Sequence, residues 1–182
     1  MIKRVIIIHG WGATPESDWF PFLKKELLKK GYEVEVPEMP NTDEPNISEW
    51  VSELDKLKPD EFTILVGHSV GCRTILNYLK NNNIKVKKVI LVAPWLNINL
   101  EVLDNEEKEI VKPWINDYLV LDDLRKKSSF VVVHSLNDPF SFKEDIEELL
   151  ISLNAEEVNL GNKGHINAED GKIDLPEILK FF

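Results

Sequence analysis

The sequence of 182 residues is poor in cysteine, in basic residues and in long apolar runs, and each shortage excludes something. One cysteine, Cys72, cannot close an internal disulfide, which fits a reducing compartment and a cytoplasmic protein. Lysine and arginine total 22 against 32 aspartates and glutamates, a formal net charge of −10. Nucleic acid is therefore not an expected partner, because phosphate binding needs a basic face. No uninterrupted apolar stretch approaches the roughly 20 residues of a membrane span, so no membrane partner is expected either. Met1-Ile2-Lys3-Arg4 followed by Val5–Ile8 imitates a signal sequence, but the apolar part stops at His9-Gly10, short of the roughly 7–15 residues a signal core needs. A hydrophobic content of 43% is too high for disorder. A chain of this length reads as one domain, 1–182, able to bury roughly 70% of its unfolded surface without a metal or disulfide staple.

The apolar runs that are present are short, continuous and β-branched. Val5–Ile8, Thr63–Val66, Val89–Ala93 and Phe130–Val133 suit strands covered on both faces, as in a parallel sheet, with Val34–Val36 and Val158–Leu160 as weaker strands at its flanks. Helical periodicity fills the gaps. Trp19–Lys30 carries Phe20, Leu23 and Leu27 on one face and stops at Gly31. Ile47, Trp50, Val51, Leu54 and Leu57 follow an Asn46 cap. A third helix starts just after Ser69. Ser141-Phe142-Lys143-Glu144 matches a capping box before Ile146, Leu149 and Leu150. Asp174 and Pro176 open a last short helix. Strands alternating with helices predict a three-layer α/β sandwich with a parallel sheet of about six strands. With the first strand central, the order is 2-1-3-4-5-6 and the ligand crevice lies between strands one and three. The one sizeable insert, residues 94–129, leaves little chain for a lid and predicts a shallow, open site.

Gly67-His68-Ser69-Val70-Gly71 lies between a strand and a helix. A nucleophilic serine on so sharp a turn needs small residues two positions to either side, which Gly67 and Gly71 supply. The helix behind it presents backbone N–H groups and a positive dipole end. His9-Gly10-Trp11-Gly12 follows the first strand, and its glycines let backbone approach a substrate. The N–H groups of Trp11 and Val70 are the candidate oxyanion donors, and His9 the candidate brace for that loop. A serine hydroxyl also needs a base and an orienting acid. Of the four histidines, His165 sits in a glycine-bearing loop after the last strand and is the candidate base. Asp138 follows a core strand at the end where open α/β sheets place their sites, with Pro139 fixing its backbone, and is the candidate acid. The chain order Ser69, Asp138, His165 is that of α/β-hydrolases. Trp95, Trp114 and Phe140 are candidate pocket walls, with plain core packing the competing explanation.

These segments resemble a known family. V-I-I-I-H-G, W-F-P-F-L-K-K-E-L, V-G-H-S-V-G, L-V-A-P, K-P-W, N-D-P-F and G-N-K-G-H-I together look like the small serine hydrolases of the retinoblastoma-binding-protein-9 type, also called YdeN-like, within the α/β-hydrolase superfamily. The resemblance implies a catalytic Ser69, Asp138 and His165, a compact fold without a large lid, and no cofactor or metal. It implies no retinoblastoma-protein partner here, since the residues around Cys72 do not match the L-x-C-x-E binding motif.

The expected chemistry is acyl transfer from a small ester or amide to water. Ser69 attacks the carbonyl, His165 takes its proton, and Asp138 holds the imidazole. A carboxylesterase is favoured over an amidase or peptidase. A binding protein that kept the fold without turnover is the alternative from another class.

Overall fold

In parallel strands buried on both sides, alternate residues serve opposite layers. The computed structural model, which describes residues 3–182, shows this in β1 (Lys3–Ile8), where Val5 and Ile7 pack into one layer and Ile6 and Ile8 into the other. Met1 and Ile2, the start of the signal-like stretch, lie outside the described residues.

The chain continues through α1 (Phe20–Lys29), β2 (Tyr32–Glu35), α2 (Ile47–Lys56), β3 (Thr63–His68), α3 (Val70–Asn81) and β4 (Lys88–Val92). After the insert come β5 (Ser129–His134), α6 (Lys143–Ser152), β6 (Glu156–Asn159) and a closing 3₁₀ turn, Pro176–Phe181. The insert itself folds as a 3₁₀ turn, Leu100–Val102, then α4 (Asn105–Asn116) and α5 (Leu121–Leu124). The six strands form one sheet in the order β2-β1-β3-β4-β5-β6, and every pair is parallel. This is the three-layer α/β arrangement expected from the alternation. α1 and the C-terminal turn cover one face, through Phe20, Leu23, Leu27 and Ile178. Helices α2 to α6 cover the other, through residues such as Trp50, Leu76, Trp114 and Leu149.

Asn46 caps α2, its side chain accepting from the Ser48 and Glu49 N–H groups. The capping box read at Ser141–Glu144 is not formed. Phe142 flanks the start of α6 and gives it no side-chain cap, and the Ser141 hydroxyl donates instead to the Pro94 carbonyl at 2.8 Å. A capping box closes the start of α4 instead, between Asp104 and Glu107.

The sheet order decides where chemistry can happen. β1 lies between β2 and β3, so chains leaving β1 and β3 diverge to opposite faces and open a crevice at their C-terminal ends. Ile8 pairs with Gly67 across that boundary, so the loop after β1 and the turn after β3 start level with each other.

Candidate active site

Ser69 stands at the turn from β3 to α3 with φ 52° and ψ −121°, a left-handed conformation that side chains adopt at a cost of about 1–3 kcal/mol. The strain is held from both sides. The Ser69 N–H donates to the Val92 carbonyl at 3.0 Å, and its carbonyl accepts from the Cys72 N–H at 2.9 Å. The two glycines have different jobs. A Cβ on Gly67 would lie 2.8 Å from the Gly71 carbonyl and the Cys72 nitrogen, a collision across the turn. A Cβ on Gly71 would run into the Ile8 and His9 carbonyls, so this glycine lets α3 pack on the end of β1.

The candidate base and acid come from the loops after β6 and β5. His165 Nδ1 lies 2.9 and 3.0 Å from the two carboxylate oxygens of Asp138. A carboxylate only accepts, so Nδ1 carries the proton and Nε2 keeps its lone pair. Asp138 also accepts from the Phe140 N–H at 3.0 Å, and the Phe140 ring meets the imidazole edge to face at 4.7 Å. The two loops are laced together. Asn137 Oδ1 accepts from the Gly164 N–H at 2.9 Å, Ser135 Oγ accepts from the Lys163 N–H at 2.8 Å, and the Gly161 carbonyl accepts from the Leu136 N–H at 2.7 Å. The His165 N–H donates to Asp170 at 2.6 Å. A Cβ on Gly164 would occupy the position of that carboxylate, which makes the glycine a requirement of this loop.

His68, the residue before Ser69, reaches the loop that carries His165. Its Nε2 lies 2.9 Å from the His165 carbonyl, so Nε2 is the protonated nitrogen. Burial, reinforced by the neighbouring His165, pushes its pKa down to about 3, so the ring is neutral. Trp19 supports the same segment, its indole donating to the Ile166 carbonyl at 3.0 Å.

The loop after β1 arrives from the other side of the crevice. His9 is fully buried; the Met39 N–H donates to its Nε2 at 3.1 Å, and its Nδ1–H donates to the Gly10 carbonyl at 2.9 Å. Burial lowers its pKa, which keeps this bracing ring neutral. Gly10 lies against the elbow, where an added Cβ would sit 3.5 Å from Ser69 Cβ and 2.9 Å from His68 Nδ1. The Gly12 N–H donates to the Thr42 carbonyl at 2.9 Å and the Trp11 indole to the Asp43 carbonyl at 2.9 Å, so this loop is pinned to the segment after β2.

Ser69 and His165, each 8% exposed, open into one cavity of about 770 Å³. Gly10, Trp11, Ile98, Leu103 and Phe140 contribute to its lining. Of the three aromatic residues considered as walls, Phe140 is there and the two tryptophans are not. Trp95 and Trp114 are each 1% exposed and belong to the core beneath the insert. The Trp114 indole donates to the Pro45 carbonyl at 2.9 Å and its ring packs on Trp50, while Trp95 stacks near the Arg73 guanidinium. Ile98 and Leu103 supply the insert's apolar contribution to the wall instead.

A strained serine, an aspartate-held imidazole and a converging glycine-rich loop on a 2-1-3-4-5-6 sheet form one constellation. A family model described as Serine hydrolase matches residues 5–182. The chain belongs to the serine hydrolase family.

Other proteins share the whole frame. The serine hydrolase is 30% identical to the YdeN protein of Bacillus subtilis (strain 168) over 185 residues, covering 97% of this chain and 92% of that one. The crystal structure of the ydeN gene product from B. subtilis superposes with a TM-score of 0.84 at 25% identity, over 98% of this chain and 96% of the other. Est1E from Butyrivibrio proteoclasticus, solved with ferulic acid bound, shares the fold with a TM-score of 0.70 at 16% identity, over 90% and 81% of the two chains.

Four residues that shape the site were not singled out from the sequence: Asn137, Asp170, Asp145 and, in its positioning contact, His68. Asp145 lies in the first turn of α6, 4% exposed, and accepts from the Leu96 N–H at 2.9 Å and the Asn97 side chain at 3.0 Å. It anchors the start of the insert. A glycine one position before a histidine was the only visible trace of Asp170. Asp145 looked like one acid among many on a charged helix.

Proposed function

We propose that this chain hydrolyses small carboxylic esters through an acyl-enzyme on Ser69. The observation that carries the reading is the contact of His165 Nδ1 with both carboxylate oxygens of Asp138. With Nδ1–H committed to Asp138 at 2.9 Å, the free lone pair is on Nε2, in the cavity that Ser69 also lines. Ser69 attacks the ester carbonyl as His165 Nε2 takes its proton. Asp138 stabilises the imidazolium that forms. The carbonyl oxygen becomes an oxyanion held by the N–H groups of Val70, at the positive end of α3, and of Trp11. The imidazolium then gives its proton to the leaving alcohol. Water activated by the same nitrogen releases the acid. No cofactor or metal takes part in this scheme.

The Ser69 hydroxyl has no hydrogen bond to His165 in the resting arrangement. Such contacts commonly tighten only when substrate is bound. An ester is favoured over an amide because its alkoxide leaves more readily. Within the proposal, residues 1–182 act as one cytoplasmic catalytic domain on a small-molecule substrate.

The test is turnover of an ester and an amide with the same acyl group by wild type and Ser69→Ala. Faster ester turnover, lost in the variant, is expected. Faster amide turnover would make the enzyme an amidase. Turnover of neither, across acyl chain lengths, would leave a binding protein.

A further inference from the structure

The charge around the cavity is one-sided. Glu16, Asp18, Glu107 and Glu169 line it, and no lysine or arginine does. Among the described residues no ion pair includes these four carboxylates. Two have other partners that leave their charge in place. Asp18 Oδ1 accepts from the Ala168 N–H at 2.8 Å, and Glu107 accepts from the Asp104 N–H at 2.8 Å. Asp18 is partly buried with no cation beside it, and that burial raises its pKa. A protein carboxylate held this way gains from any positive charge brought to it.

A second observation points the same way. His68 also borders the cavity, and burial keeps its ring neutral, with Nε2–H committed to the His165 carbonyl and Nδ1 closed off against Gly10. It brings no positive charge to the lining, so nothing there offsets the four carboxylates. An apolar stretch of the wall comes from Ile98, Leu103 and Phe140.

The carboxylates are also placed relative to the reaction. Asn167–Glu169 continue directly from His165, and the Asp18–Ala168 bond ties the Glu16–Asp18 loop to them. His165 protonates the leaving oxygen, so the leaving group lies on this side. We propose, building on the esterase reading above, that the cavity takes esters with a neutral acyl chain and a leaving alcohol that bears an ammonium group, seated against Glu16, Asp18 and Glu169. The apolar wall receives the acyl chain. Anionic alcohols are repelled.

The experiment compares butyrylcholine with 3,3-dimethylbutyl butyrate, its uncharged counterpart of the same shape, and with 2-sulfoethyl butyrate. At low salt kcat/KM should favour the cation by roughly tenfold over the neutral ester, what two or three partly exposed ion pairs supply. The anion should be the poorest. The advantage should shrink in the Glu16→Gln/Glu169→Gln double variant and at about 1 M salt, where screening acts within about 3 Å. Equal kcat/KM for cation and neutral ester, or an advantage unchanged in the double variant, overturns the proposal. Fluorophosphonate labelling in parallel separates the two readings. Labelled enzyme that hydrolyses neutral butyrate without charge preference sinks the charge selectivity alone. Unlabelled, inactive protein sinks the esterase reading and this inference with it.

Discussion

At the scale of single residues, the site depends on which nitrogen of each histidine holds a proton. Asp138 keeps the proton of His165 on Nδ1. Asp138→Asn offers an amide in its place, so the wrong tautomer becomes competitive. Turnover should fall by roughly 10⁴-fold, as in the corresponding serine-protease change, with the melting temperature little altered. Near-normal turnover would move the acid to another residue. His68 donates to the His165 carbonyl. His68→Ala should slow turnover by roughly 10- to 100-fold through misplacement of the base, and His68→Gln, which keeps a donor, should recover part of it. Equal losses in both variants would deny the positioning role. Ser69 pays for its location with a left-handed backbone. Ser69→Gly should abolish turnover yet raise stability by about 1 kcal/mol in urea unfolding, because glycine adopts that conformation freely.

At the scale of elements, the insert is clamped at its start and at the end of α4. Asp145 of α6 holds its start through the Leu96 and Asn97 N–H groups. Arg73 of α3 holds its far side by donating to the Trp114 and Asp117 carbonyls. Burial lowers the Arg73 pKa to about 10, which still leaves it charged at neutral pH. Asp145→Ala should cost roughly 2–4 kcal/mol in unfolding free energy, because buried N–H groups lose a charged acceptor. A cost within about 0.5 kcal/mol, the range of ordinary surface changes, would show that water replaces the carboxylate without loss. The elements themselves were legible before the structure. Continuous β-branched runs marked the strands, and Asn46 marked the start of α2. The elbow was readable because glycine, serine and glycine had a steric reason to stand together. Ser141 was misread because a hydroxyl can bond either forward into a helix or back to a distant carbonyl, and sequence spacing sees only the first. Trp95 and Trp114 were left open between wall and core, since an aromatic side chain after a strand has the same signature in both. Asp145, Asp170 and the contact of His68 are long-range pairings with no local pattern to announce them.

At the scale of the whole molecule, two neutral histidines buried beside the strand ends tie stability to pH. Unfolded, each takes up a proton near pH 6.5. Folded, His68 does so only near pH 3 and His9 also later than usual, both because burial disfavours the charged ring. Below about pH 6.5 the unfolded chain therefore binds more protons, so stability is full above that pH and falls as acid is added. Each extra proton taken up on unfolding removes about 1.4 kcal/mol per pH unit. The urea midpoint should drop between pH 7.5 and 5, and His68→Gln should remove about one proton from the slope. A midpoint flat over this range would contradict the neutral burial of both rings. The net charge of −10 has a local counterpart in the four carboxylates of the cavity lining.

The central claim is that the elbow serine is a nucleophile made reactive by His165. Fluorophosphonate labelling of the native protein, read by intact mass and peptide mapping, tests it most directly. The account predicts one probe per chain on Ser69, no labelling of Ser69→Ala, and labelling of His165→Ala slowed by orders of magnitude. Wild-type protein that stays unlabelled, or a Ser69→Ala variant that labels as fast as wild type, would contradict it.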